Sequence, residues 1–180
     1  MKIIALILFI STLAGCDNGG GDGGNTDYST YPPLDEQAVG DSLTCREGSA
    51  YERLEITRYC RSGRMLIEVE SLPARGTVYL QMGGNDTRKN VAPATFELHL
   101  LGLLDNTDAD VICVLPVINL QDTSVVREIL MRNCPGYIDP MEYGIQGLND
   151  GVHWTQDENL LFVDVLEALR GGDTGIVRQL

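Results

Sequence analysis

The stretch Val111-Ile112-Cys113-Val114-Leu115-Pro116-Val117 constrains the fold most, because it is an almost unbroken apolar run with no alternate polar positions to face water. Strands of that kind are buried on both faces, which is the condition of a parallel sheet covered by helices above and below. The rest of the chain agrees, since apolar runs of strand length alternate with helical periodicity. Residues 34–39 read as a weak first strand, 51–59 as a helix, and 65–69 and 77–82 as strands. Residues 91–104 place Phe96, Leu100, Leu103 and Leu104 on one helical face. Residues 124–132 form a helix introduced by Asp122-Thr123, and 136–138 a short last strand. Residues 156–169 form a closing helix that Gly171-Gly172 stops. The expectation is one α/β domain over residues 34–180, with a mostly parallel sheet of about five strands and enough length to bury a core.

The amino-terminal segment reads differently. Met1-Lys2, an apolar run at 3–10, Ser11-Thr12 and Leu13-Ala14-Gly15-Cys16 have the charged, apolar and small-residue sections of a secretory signal. The apolar run is short for a membrane span. Leu-Ala-Gly-Cys resembles a bacterial lipobox, which implies a signal peptide over 1–15, cleavage before Cys16, diacylglycerol on its sulfur and a fatty acyl group on the new amino terminus. Each buried methylene then contributes about 0.8 kcal/mol of anchoring. Asp17 resembles a signal for retention at the inner membrane, a rule that varies among bacteria, so the choice of membrane stays open. Residues 16–33, with Gly-Gly-Gly-Asp-Gly-Gly at 19–24, carry little apolar content and read as a flexible tether spanning roughly 20–25 Å. The expected location is the bacterial cell envelope, with the globular domain outside the cytoplasm and the membrane as a partner through Cys16.

Thirteen Lys and Arg stand against 26 Asp and Glu, a formal net charge of −13, which argues against nucleic acid or anionic lipid as a partner of most of the surface. With Cys16 assigned to lipid, Cys45, Cys60, Cys113 and Cys134 remain, an even count that suggests two disulfides in an oxidising compartment. Zinc is the weaker reading, since no Cys-x-x-Cys pair is present and the histidines are His99 and His153. A packed βα unit brings Cys113 and Cys134 together, leaving Cys45 with Cys60. An unbroken helix from 45 to 60 would hold its ends about 22 Å apart. That bridge therefore requires the chain to fold back between the two cysteines.

Three short motifs occur in a fixed order: Gly40-Asp41-Ser42-Leu43, Gly83-Gly84-Asn85-Asp86 and Asp150-Gly151-Val152-His153. Each lies at a strand end or before a helix, where ligand crevices of open α/β sheets form. Separately, each is an ordinary turn or helix cap. Together they supply a nucleophile, an amide donor, a carboxylate and a base, the set that acyl transfer through a serine ester needs. His99 lies inside the 91–104 helix and reads as a packing or solvent-facing residue.

In these three motifs and their order, the chain resembles the SGNH, or GDSL-type, hydrolases over nearly all of residues 38–170. The resemblance implies a three-layer flavodoxin-like fold and ester hydrolysis without metal or organic cofactor. Ser42 lacks a glycine two positions later, which separates it from the Gly-x-Ser-x-Gly elbow of α/β-hydrolases. Carried over by motif, Ser42 attacks an acyl ester, acetyl esters included, on a glycan, lipid or small molecule. His153 takes its proton, and Asp150 orients the imidazole. The Asn85 amide and the Ser42 N–H receive the oxyanion, on a loop supported by Gly83.

The family also carries a glycine after its second strand that completes the oxyanion hole, followed by a helix. With strands at 65–69 and 77–82, only residues 70–76 separate them, fewer than a parallel crossover normally uses. This second block reads as shortened, with Ser71 or a neighbour as substitute donor and Gly76 at the wrong end. The shortening supports an alternative function, an inactive lipoprotein of the same fold that serves as a binding or assembly module. Residues 137–148, with Met141, Tyr143 and Ile145, read as a wall of the site.

Overall fold

The computed structural model describes residues 35–147 and 149–179; the signal, Cys16 and tether expected above lie outside the described residues. Five strands, β1 (Glu36–Gly40), β2 (Thr57–Cys60), β3 (Thr77–Gln81), β4 (Asp110–Val114) and β5 (Gly136–Ile138), pair in parallel in the order β2-β1-β3-β4-β5. That is the flavodoxin-like order, in which the crevice lies where the strand order reverses. Helices α1 (Ser42–Cys45), α2 (Ala50–Arg53), α3 (Gly84–Arg88), α4 (Pro93–Asp105), α5 (Ser124–Asn133) and α6 (Gln156–Arg170) connect or follow the strands.

Strand alternation divides the core into two layers. Val39, Val78, Leu80, Val111 and Cys113 point to one face, where Phe96, Leu100 and Leu103 of α4 and Ile129 and Leu130 of α5 cover them. Ala38, Tyr79 and Val114 point to the other, under Ala50 and Tyr51 of α2 and Phe162, Val165 and Leu166 of α6. Both faces of β3 and β4 are therefore dry, as the apolar run at 111–117 requires. That run leaves the ladder after Val114, because Pro116 has no N–H to donate.

The second strand departs from expectation. Residues 51–59 are not one helix: α2 ends at Arg53, Glu55 takes a left-handed φ of 56°, and the chain enters β2. Residues 65–69 are not a strand but contain a 3₁₀ turn at Leu66–Glu68. The β2–β3 crossover is residues 61–76, long enough for a parallel connection, and its one regular element is the 3₁₀ turn, so the second block is shortened by the loss of its helix and not by the loss of its crossover. Pairing with β1 outweighs the helical spacing of Tyr51, Leu54 and Tyr59, since a ladder against a central strand satisfies backbone groups that a lone edge helix cannot bury.

This fold-back brings Cys60 to Cys45, with Cα atoms 5.4 Å apart, and the second disulfide joins Cys113 to Cys134 at 6.2 Å. Both separations are ordinary for disulfides.

Trp154, almost fully buried, stacks edge-to-face on Phe162 with centroids 5.0 Å apart and anchors the segment before α6 in the core. Trp154→Ala is expected to cost about 3–5 kcal/mol of stability, read as a lower urea midpoint. Trp154→Phe should lose less.

Candidate active site

Register sets the site. Gly40 lies beside Cys60 of β2 and Gln81 of β3, so the segments that follow all three strands emerge at one edge of the sheet. Asp41 caps α1 by accepting the Leu43 N–H at 3.0 Å. Gly40 is needed because a Cβ there would lie 1.9 Å from Thr44 Oγ1, which blocks the tight strand-to-helix turn. This turn presents the Ser42 hydroxyl, and as the first residue of a helix its N–H has no intrahelical acceptor.

From the far end of the chain comes a turn built on one carboxylate. Asp150 Oδ1 accepts the N–H groups of Val152 at 2.9 Å and His153 at 2.7 Å. Its Oδ2 accepts the imidazole Nδ1–H at 2.7 Å. The imidazole bond first, then the two backbone N–H groups, hold the Asp150 carboxyl well below the usual carboxylate range. An ionised carboxylate only accepts, so Nδ1 carries the proton and Nε2 is left as the acceptor. The Ser42 hydroxyl donates to it, with Oγ and Nε2 3.0 Å apart across 111 residues of sequence. The N–H groups of Asn119 and Leu120 both donate to the Gly151 carbonyl, tying this turn to the loop after β4.

Asn85 follows β3 on α3. Gly83 precedes it at φ +105°, where a Cβ would meet Val126 at 2.5 Å, so glycine alone brings this helix start close to the sheet edge. The Asn85 side chain lines the cleft beside Ser42. Its Nδ2 donates to Asp41 Oδ2 at 2.9 Å and to the Arg64 carbonyl at 3.0 Å, while its Oδ1 accepts from Arg88 at 2.7 Å. Both amide hydrogens thus have protein acceptors, an arrangement with no signal in the sequence.

Two clefts meet at Ser42. One, of about 250 Å³, is lined by Leu43, Ile118, Leu120 and Val152 together with the polar Asp41, Asn85, Arg88 and Gln121. The other, of about 580 Å³, is wider and more open, with Cys45, Arg46, Glu47, Glu52 and Ser62 around Asp150 and His153. The wall expected from 137–148 is instead supplied by the loop after β4: Ile145 is core, Met141 is exposed, and neither lines a cleft at Ser42. The glycine after the true second strand is Gly63, next to Ser62, whereas Gly76 precedes β3 at the amino ends of the strands. His99, on α4, donates its Nε2–H to the Val69 carbonyl, 2.7 Å away.

Beneath the site, burial pushes the Asp41 carboxyl up to about 6 from an ordinary 3.8, against the Leu43 N–H and reinforced by Asp86. Burial likewise raises Asp86 to about 6, against the N–H of Leu66. A folded-state value above the unfolded one means that stability is complete below about pH 4 and is lost as pH rises through 6. Two units at 1.36 kcal/mol each make this about 3 kcal/mol for Asp41. Urea unfolding is therefore expected to show lower stability at pH 7.5 than at pH 4.5, with a smaller difference in Asp41→Asn, whatever that variant does to absolute stability.

No family model matches the chain, and no curated protein does. Solved structures similar to it include the following three. A member of the lipolytic G-D-S-L family from Veillonella parvula DSM 2008 is 20% identical, with 74% of this chain and 96% of that one covered and a TM-score of 0.56. A structure from Desulfitobacterium hafniense DCB-2 assigned to the same family is 15% identical, covering 73% and 97%, with a TM-score of 0.55. The structure of TesA is 16% identical, covering 75% and 97%, with a TM-score of 0.56. The fold is that of the SGNH, or G-D-S-L-type, hydrolases.

Proposed function

We propose that this chain is a serine esterase, with Ser42 as nucleophile, His153 as base and Asp150 as the group that orients it. The observation that carries the reading is the continuous hydrogen-bond chain from the Ser42 hydroxyl through His153 to an ionised Asp150. Ser42 Oγ attacks the ester carbonyl as Nε2 takes its proton. The imidazolium then returns that proton to the leaving alcohol, and water repeats the cycle on the acyl-enzyme. The oxyanion is received by the Ser42 N–H, by the N–H of Gly63 as counterpart of the family glycine, and by Asn85. Because its hydrogens already serve Asp41 and Arg64, Asn85 donates as a shared, three-centre donor.

Lipid attachment at Cys16 and a site tethered near a bacterial membrane complete the proposal, resting on the lipobox resemblance. The inactive-module alternative draws on the shortened second block; the intact hydrogen-bond chain from Ser42 through His153 to Asp150, which a binding module has no need to keep, favours the esterase. Labelling of the full chain by a fluorophosphonate tests the reading. Label on wild type that is lost in Ser42→Ala is the expected result; no label on either protein overturns it.

A further inference from the structure

We infer that the substrate is a short-chain acyl ester of a polar, polyhydroxylated alcohol, with Ile118 and Leu120 setting the limit on acyl length. The inference rests on the esterase reading and extends it to the two halves of the substrate. His153 must hand its proton to the leaving oxygen, so the alcohol lies on the side of Ser42 where the imidazole stands. That side is the wide, open cleft with Arg46, Glu47, Glu52 and Ser62, whose charged and hydroxyl side chains supply donors and acceptors to the hydroxyl groups of an alcohol. The acyl group takes the opposite side, the smaller cleft beside Asn85, which His153 does not line.

That cleft is closed by side chains from the loop after β4. The Ile118 Cδ1 lies so near Gly84 that a Cβ on Gly84 would stand 2.6 Å from it, which seals the floor against α3. Leu120, itself largely exposed, rests over Gly151, 2.3 Å from where a Cβ would be, and stands at the rim of the cleft next to the turn of Asp150 and His153. A volume of about 250 Å³, at about 30 Å³ for each water-sized group, holds roughly eight heavy atoms. Counting the carbonyl carbon and its oxygen among them, that is an acyl group of about seven carbons.

The test uses the full chain with p-nitrophenyl acetate, butyrate, hexanoate and laurate, which share one leaving group. The expected kcat/KM is highest at or below hexanoate and at least about tenfold lower for laurate, with Ile118→Ala raising the laurate-to-butyrate ratio by about tenfold. Laurate hydrolysed as well as butyrate overturns the length limit and leaves the esterase reading standing. Absence of hydrolysis for every ester, together with absence of fluorophosphonate labelling, overturns both. For the alcohol half, 6-O-acetylglucose should be cleaved with higher kcat/KM than hexyl acetate, both being acetates of primary alcohols, and the reverse order overturns that half alone.

Discussion

His153→Ala is expected to lower kcat on p-nitrophenyl butyrate by about 10⁴–10⁶-fold, and the double variant Ser42→Ala, His153→Ala is expected to fall no further. The two groups act as one unit. The serine hydroxyl is a weak nucleophile unless a base takes its proton, and the base has nothing to activate once the hydroxyl is gone. Steady-state rates of the two single variants and the double variant close the cycle. Losses that multiply would mean that the 3.0 Å contact between Ser42 Oγ and His153 Nε2 has no part in the chemistry. Circular dichroism on each variant separates this from unfolding, since His153 is partly exposed and its removal leaves no large buried cavity.

Asp150→Asn is expected to lower kcat by about 10³–10⁴-fold with little change in KM. An asparagine side-chain oxygen can still accept the N–H groups of Val152 and His153, so the turn keeps its shape. Its amide now presents N–H to the ring in place of an acceptor, which favours the tautomer that protonates Nε2. The imidazole is then well placed and unable to accept from Ser42. A fall in KM alone, or a loss no larger than tenfold, would show that Asp150 serves the turn and not the base.

The Asp41 and Asp86 pair explains why such a site is costly to carry. Asp41 caps the helix that begins at Ser42 and takes an Asn85 hydrogen, and Asp86 receives the Leu66 N–H at both of its oxygens. These bonds hold the three post-strand segments in register around Ser42. The groups that do so are buried carboxyls, which are less stable ionised than they would be in water.

Much of this arrangement is legible from residues alone, for local reasons. The run at 111–117 demands a strand dry on both faces, and β4 is one. Residues 91–104, 124–132 and 156–169 carry apolar faces at helical spacing and become α4, α5 and α6. The Gly-Asp-Ser, Gly-Gly-Asn-Asp and Asp-Gly-Val-His segments advertise tight turns with reactive side chains, and the first and third meet in the hydrogen-bond chain at Ser42. β2 was not legible. All four of its residues are half-buried on an edge strand, so no alternation marks them, and Arg58 turns back to the Cys45 and Arg46 carbonyls and Glu52. Placing that strand at 65–69 also hides Gly63, which follows the true β2.

What the sequence by itself determined is a parallel α/β domain and the chemical kinds of group at its site, since periodicity, turn residues and reactive side chains act within a few positions of one another. The tertiary structure alone decided which segment pairs beside β1, where the hydrogens of Asn85 go, and which loop walls the cleft at Ser42. Those outcomes depend on groups tens to more than a hundred residues apart in the chain. Their energies exist only once the sheet has brought them together, so no local pattern records them.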